Sequence, residues 1–503
     1  MYGEDKFIAE ISRKRLTGDS SWSLMSAIMT SIFGAAYLIV IGNYWGSSGL
    51  GIFALCVSIY FVSSIVCNLG IHAAVLYEVA ASGEDKRRAS AFAYSALSTS
   101  FLLGIIGGAL GFILAPLFAK IFHQPQMTAM VRLFSVALPL FLLNKTALGI
   151  LNAHRRMRFI AAINVIRGGM ILLYLIAVAV FGADLRTIPY GFIIAESTIL
   201  FLLFTACLRT HKLCAPSFIQ AKELMSFGWK AALSGAIGDL NSRLDIIVIG
   251  LFWDAAIVGI YSVASAIARG LLIIPGAMQR VTNPLVVQLY SSNEKEKLHR
   301  TMDVLTRIGT SGFVVLGFII LIAMPSLLKL VYPGQTEMLG ALVPLYFLLP
   351  GTVIFSGIAM IGSAPSSSIG KPENAVKLVS VVLGVNLVLN FSLVPFFAAS
   401  GAAIATTLSL IVGLVYFSYL CKRFLDFRVP LAKLLILFIL ICLAITSVAV
   451  FESIVPRMVL LSTGLLTIIM ALLVLGFVQK SDWELVRSIL PWKSRPPSYP
   501  VRP

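Results

Sequence analysis

Apolar runs long enough to cross a lipid bilayer recur along nearly the whole chain, at 24–42, 50–80, 91–119, 131–151, 159–181, 187–207, 226–252, 257–290, 304–331, 339–364, 375–397, 401–421, 432–451 and 458–478. Inside a bilayer a backbone finds no water to bond to, so a spanning segment closes its own hydrogen bonds as a helix of about 20 residues at 1.5 Å rise. The pattern predicts an all-α polytopic membrane protein with about fourteen transmembrane helices. Composition agrees, with 58% of the 503 residues from the set AVILMFWYC and only 12% charged. Soluble domains carry roughly 25% charged residues, which excludes a soluble multidomain enzyme, and a chain this apolar is the reverse of a disordered one.

The net charge is +17, from 39 Lys and Arg against 22 Asp and Glu. In a soluble chain such an excess suggests nucleic acid, but here the cations follow the loops. Twenty-seven fall at the two termini and in alternate loops, including Lys86-Arg87-Arg88, Arg155-Arg156 and Lys422-Arg423. The opposite loops hold five: Lys120, Arg132, Arg186, Lys329 and Arg457. By the positive-inside rule both termini are expected in the cytoplasm, with an even number of spans and no nucleic-acid partner. The expected organisation is a cytoplasmic segment 1–23, a first lobe 24–210, a cytoplasmic linker 211–225, a second lobe 226–423, two further spans over 432–478 and a proline-containing cytoplasmic tail 479–503. The polar, basic start runs into the first apolar segment without a small-residue cleavage site, so a cleaved signal peptide is not expected. The six cysteines form no C-x-x-C pair, and neither a disulfide framework nor a zinc site is indicated.

Two passages repeat at an offset of about 208 residues. Leu50-Gly51-Ile52-Phe53-Ala54 opens the second span as Val258-Gly259-Ile260-Tyr261-Ser262 opens the eighth, and Leu140-Phe141-Leu142-Leu143 resembles Tyr346-Phe347-Leu348-Leu349. With a period of six spans, these matches predict two six-helix halves of one orientation, a parallel repeat that places a substrate path between them near the bilayer midplane. Spans thirteen and fourteen lie outside the repeat.

Seven cations fall inside the spans: Lys145, Arg167, Lys230, Arg243, Arg269, Arg280 and Arg307. A charge at the bilayer centre costs at least ~2.5–3.5 kcal/mol, so each needs a partner or a wet cavity. Lys230 and Arg307 sit close enough to span ends to be interfacial. Arg269 and Arg280 are eleven residues apart and, on one continuous helix, share a face with Tyr261 and Ser265. Either an elongated anion moves along that stripe, or the two arginines pair with Asp239, Asp245, Glu196 or Glu78 on neighbouring helices. Asp239 and Arg243, four apart, share a face and either neutralise each other or are left for another role. Lys145 and Arg167 line a phosphate-attracting vestibule or snorkel. Glu196 is an ion partner of Arg167 or Arg243, or an ion-coupling site, and Asp245 and Glu78 are further counter-charge or coupling candidates. Asn68 and His72 line a cavity or join helices. Pro275-Gly276, between the two arginines, is a candidate hinge or a static kink. No ATP-binding P-loop, no catalytic cluster, no metal-ligand set and no cofactor motif is present, so no enzyme activity is expected.

The second-span pattern Gly49-Leu50-Gly51-Ile52-Phe53-Ala54-Leu55 with Asn68-Leu69-Gly70, the passage from Asp245 through Val258-Gly259-Ile260-Tyr261 to Pro275-Gly276 and Asn283-Pro284, and Asn386, Asn390, Pro395 and Gly401-Ala402-Ala403-Ile404-Ala405-Thr406 resemble bacterial polysaccharide-unit flippases of the Wzx type over about residues 20–425. The resemblance implies membership of the superfamily of multidrug, oligosaccharidyl-lipid and polysaccharide exporters, with a MATE-like fold. It further implies alternating-access transfer of an undecaprenyl-pyrophosphate-linked oligosaccharide, for O-antigen, exopolysaccharide or capsule, to the outer face of the bacterial inner membrane. Polysaccharide polymerase and chain-length machinery are the implied partners. By position Arg243 and Arg269, then Arg280, Lys145 and Arg167, match the family's cationic cavity residues. The first span carries no carboxylate of the kind multidrug extruders often use there, which favours the lipid-linked-glycan branch over the alternatives, cation-coupled drug efflux or lipid II flipping.

Overall fold

The computed structural model describes residues 2–210, 214–363, 373–451 and 456–479. Part of the expected linker, 211–213, and all but the first residue of the expected tail lie outside the described residues. The fold is all helical among the described residues. Its helices are α1 (Tyr2–Asn68), α2 (Ile71–Ala81), α3 (Lys86–Ile121), α4 (Met127–Ala153), α5 (Met157–Val180), α6 (Ile188–Thr210), α7 (Phe218–Phe252), α8 (Ala255–Leu271), α9 (Ile273–Ser291), α10 (Lys295–Val331), α11 (Leu342–Ala359), α12 (Glu373–Leu425), α13 (Leu431–Phe451) and α14 (Arg457–Val474). Among the described residues ten helical stretches are long and apolar enough to cross a membrane. Two of them, α1 and α12, are each a pair of spans joined at a single non-helical residue, Gly46 and Ala398. Helices and crossings therefore do not correspond one to one, and the protein is a polytopic membrane protein of about fourteen spans.

Two further differences from the run-length reading are breaks inside single apolar runs. The second run, 50–80, is interrupted at Leu69 and Gly70, both with positive φ (46° and 71°), so α2 is a separate short helix. Asn68 and His72 face each other across this break, with His72 Nδ1 2.6 Å from Asn68 Oδ1. The eighth run, 257–290, is divided at Leu272 into α8 and α9. The reading of Arg269 and Arg280 as one stripe assumed an uninterrupted helix, and this break removes that premise.

Proximity groups the chain into two compact units. One is Met1–Ile273, Met324–Leu348 and Lys371–Gly413, and the other is Ile274–Ala323, Leu349–Gly370 and Leu414–Pro503. These groupings follow contact, whereas the repeat follows likeness, and the two need not coincide. In the second unit Gln279 donates to the Ala359 carbonyl (3.0 Å), His299 meets the Leu425 carbonyl (2.8 Å) and Arg307 pairs with Asp303 one turn away. In the first unit Leu102, Ile106, Leu110, Ile113 and Leu117 form an exposed apolar stripe along one face of α3. Their spacing of three and four residues is that of a single helix face, here one turned to lipid.

The repeat is visible in the packing of the first unit. A Cβ built on Gly51 would lie 1.7 Å from the Ala255 carbonyl oxygen, and one built on Gly259 would lie 2.0 Å from the Ser47 carbonyl oxygen. Ala255 precedes Gly259 by four residues as Ser47 precedes Gly51, so the two copies of the motif cross backbone on backbone with matching partners. Only a residue without a side chain permits this approach, the small-residue packing that membrane helices use where no hydrophobic force drives them together. Nearby, Ser47 Oγ donates to Glu337 (2.5 Å) and Asn43 Nδ2 to the Val331 carbonyl (2.8 Å).

Gly51→Ala and Gly259→Ala are expected to destabilise the detergent-purified protein by about 1–3 kcal/mol, the range for overpacking, read as a lowered thermal-unfolding midpoint. Gly384→Ala, with nothing within 4 Å of the new methyl, should change little. Ala398 has φ 50° and ψ −132°, a conformation open to glycine and costly for other residues. Ala398→Gly should raise the same midpoint, by about 1 kcal/mol of relieved strain.

Candidate functional site

The polar residues within the spans of the first unit fall into three groups. The first is built around Asp245 in α7, whose residue is 6% exposed. Tyr261 of α8 donates to Oδ2 at 2.5 Å and Thr406 of α12 to the same oxygen at 2.7 Å. Asn386 and Asn390, one turn apart on α12, donate to Oδ1 at 3.1 and 3.0 Å. Asn386 also reaches Asn241 Oδ1 at 3.1 Å. Four neutral donors from two helices, α8 and both halves of α12, thus surround one carboxylate, and no cation lies within 4.0 Å of it among the described residues.

The second group is cationic. Arg269 of α8 donates to the Ser242 carbonyl of α7 at 2.9 Å. Arg243 lays its guanidinium over the Phe61 ring at 4.7 Å from the centroid, a contact that replaces part of the lost hydration of a buried cation. Arg243 lies within electrostatic range of Arg269 and of Asp239, and Asp239 within range of Lys145 on α4. None of the three cations has a carboxylate within 4.0 Å among the described residues. Of the two readings of Asp239 and Arg243, the ion pair is not made. A four-residue spacing places two side chains on one face without obliging them to meet, and here Arg243 turns to the aromatic ring while Asp239 is exposed.

The third group is an ion pair. Arg167 Nε on α5 is 3.1 Å from Glu196 Oε1 on α6, with the two side chains 18% and 2% exposed. Asn144 Nδ2 on α4 donates to Glu196 Oε2 (2.7 Å) and to the Glu196 carbonyl (2.8 Å). Tyr37 donates to the Gly168 carbonyl at 2.8 Å. Around the pair, Tyr60 packs against Phe134, Phe141 and Phe192, and Arg167 lies over Phe141. Of the two readings of Glu196, the structure makes the pairing with Arg167.

The remaining sequence candidates stand elsewhere. Glu78 is buried at 7% and 3.5 Å from Arg88. Arg280 is exposed and belongs to the second unit. Pro275 and Gly276 fall in the first turn of α9, directly after the break at Leu272 and at the chain position where the first unit gives way to the second. A proline in a first helical turn gives up a backbone donor that has no helical partner there, so it fits without a kink. A search for charges alone passes over Asn144, Asn386, Asn390 and Thr406. The signal that finds them is the amide itself, two of them four residues apart in the otherwise apolar run 375–397.

A protein-family model described as "Polysaccharide biosynthesis protein" matches residues 49–334. The chain is 24% identical over 401 residues to "Probable flippase AglR" of Haloferax volcanii, spanning 79% of this chain and 82% of that protein. It is 28% identical over 211 residues to "Capsular polysaccharide biosynthesis protein CapF" of Staphylococcus aureus, 40% of this chain and 50% of that one. Among solved structures it resembles "Lipid II flippase MurJ, inward closed conformation" (TM-score 0.70, 14% identity, 93% of this chain and 99% of that chain) and an inward-facing multidrug resistance MATE family transporter of the MOP superfamily (TM-score 0.66, 16% identity, 80% and 99%). At these identities the structural likeness speaks for the fold, while the family match covers more than half of the sequence. The chain belongs to the polysaccharide biosynthesis protein family, on a fold it shares with MOP-superfamily transporters.

Proposed function

We propose that this protein is a flippase that moves a polyprenyl-pyrophosphate-linked oligosaccharide across the membrane by alternating access, from the cytoplasmic to the outer face. The observation that carries the reading is the group Lys145, Arg243 and Arg269, three cations in the spans with no carboxylate within 4.0 Å among the described residues, the acids in electrostatic range being the exposed Asp239 and Asp245, which is already bonded by four neutral donors. Cations in such a place need an anionic counterpart or water, and a pyrophosphate joined to a hydrophilic glycan brings both charge and hydration. Relatives with flippase and capsular polysaccharide names support the same substrate class. The MATE and MurJ likeness fits drug efflux and lipid II flipping equally well, so the fold does not choose among them; the cations favour an anionic lipid-linked substrate over a drug, and the polysaccharide family match favours an oligosaccharide unit over lipid II.

In this reading Asp245 is the coupling candidate. Its four partners are neutral, so protonation or a small cation can change the charge of the group without breaking an ion pair. Leu272 to Gly276 is the hinge candidate. The loop charges support cytoplasmic termini and the inner membrane, where a polymerase and chain-length machinery would receive the product. Arg167, already paired with Glu196, and Arg280, exposed, are left out of the anion path in this reading.

Arg269→Ala, Arg243→Ala and Lys145→Ala are each expected to lower surface polysaccharide at least tenfold in cells that depend on this protein, with normal amounts of it in the membrane. Arg280→Ala should stay within about threefold of the parent. Normal polymer in both Arg243→Ala and Arg269→Ala would sink the assignment, and dye extrusion with no polysaccharide phenotype would favour drug efflux. Asp245→Asn keeps the size of the side chain and removes its charge. It should abolish export driven by an imposed ion gradient in proteoliposomes while lipid-linked substrate still binds.

A further inference from the structure

Each half of the repeat holds a buried carboxylate, Asp245 on span seven bonded from spans eight, eleven and twelve, and Glu196 on span six bonded from spans four and five. Asp245 and Glu196 are 6% and 1% exposed. Both accept an asparagine amide, from Asn386 and Asn390 in one case and from Asn144 in the other. They differ in one respect. The remaining partners of Asp245 are hydroxyls, whereas Glu196 has the Arg167 guanidinium at 3.1 Å.

Two buried oxygens beside this pair have no hydrogen-bond partner among the described residues, Asn144 Oδ1 and the Tyr60 hydroxyl. Asn144 Oδ1 is on the side chain that bonds Glu196, and Tyr60 lies within electrostatic range of both Glu196 and Arg167. Buried oxygens normally find a donor. Arg167 Nε and Nη2 are likewise without a hydrogen-bond partner among the described residues, so the guanidinium leaves both oxygens unused. A carboxylate with an amide oxygen on the side chain that bonds it and a phenol in electrostatic range offers the oxygen donors that a hard monovalent cation takes.

We propose that Arg167 is a tethered counter-cation occupying what is otherwise a site for a small monovalent metal cation, made by Glu196, Asn144 and Tyr60. The first half is thereby closed to ion exchange. Arg167 is a positioning residue for this pocket and makes no contact with the transported anion. A pair that neutralises itself inside an aromatic shell has no net charge to attract a phosphate. Only this last clause rests on the transport reading.

The test uses the full-length protein in detergent, with thermal-unfolding midpoints measured against NaCl at constant ionic strength with N-methylglucamine chloride. Arg167→Met should unfold lower than the parent in N-methylglucamine. It should regain most of the difference as Na⁺ rises through the millimolar range, and bind one more ²²Na⁺ per chain than the parent. Both gains should vanish in Arg167→Met/Glu196→Gln. Arg167→Ala, which vacates the whole guanidinium volume, should in addition be stabilised by low-millimolar guanidinium, again only while Glu196 is present.

Stabilisation of Arg167→Met by acid but not by Na⁺ overturns the proposal, as does failure of both single variants to accumulate when Na⁺ is supplied throughout. Sodium binding by the parent that is lost on Glu196→Gln also overturns it, because the pocket would then already exchange ions. For the last clause, the double variant should export polysaccharide within about threefold of the parent, and a folded double variant that exports none refutes it. Loss of the Na⁺ gains counts against the latent site, while normal export in both Arg243→Ala and Arg269→Ala counts against the flippase reading, so the two failures are distinguishable.

Discussion

A charge among spanning helices persists only where something compensates it, and the first unit meets this requirement in three ways. Glu196 is neutralised by Arg167. Asp245 is surrounded by four neutral donors, the protein replacing the water the carboxylate has lost. Arg243 and Arg269 have neither solution in full, one resting on an aromatic ring and the other on a backbone carbonyl. Removing one partner of a buried pair costs about 3–5 kcal/mol, so the first arrangement is rigid. The second tolerates a change of charge state, and the third leaves positive charge for a ligand.

The backbone adapts to these groups. Spans enter the polar region as helices and depart from helical geometry at single residues, Gly46, Leu69 with Gly70, and Ala398. Gly46 and Ala398 turn the chain from one span into the next without a long loop, and Leu69 with Gly70 breaks a single apolar run. At Ala398 the turn lets both halves of α12 serve one carboxylate, Asn386 and Asn390 before it and Thr406 after it. Where an ordinary loop would separate two spans by several residues, one unusual φ keeps them in register.

Run length and hydropathy made the number and approximate position of the spans legible, because twenty apolar residues leave few alternatives to a crossing helix. They did not show the breaks at Leu69 and Leu272, since an interruption of helical hydrogen bonding within an apolar run leaves hydropathy unaltered. Charges in the runs marked the right neighbourhoods, as for Arg167 and Glu196, but spacing along one helix left Asp239 and Arg243 undecided. Side-chain direction in three dimensions decided that case, and a nearby ring outcompeted a nearby carboxylate. The amides and hydroxyls around Asp245 went unread as partners for a further reason. A neutral polar residue in a span carries little cost by itself and announces itself only beside the charge it serves.

The crossing of Gly51 and Gly259 has the form of an isologous interface, the contact that two identical subunits make across a two-fold axis. Here both sides belong to one chain, as if a dimer had been fused by gene duplication. In a true dimer every substitution appears twice, once on each side of the axis. Fusion lifts that constraint, and the residue two positions beyond each glycine has used the freedom. Phe53 in the first copy packs its ring near Phe192, while its counterpart Tyr261 carries a hydroxyl that bonds Asp245. One added oxygen atom gives the second copy a polar centre that the first copy does not have at that place. The shared glycine holds the scaffold symmetric while the chemistry on either side of it diverges.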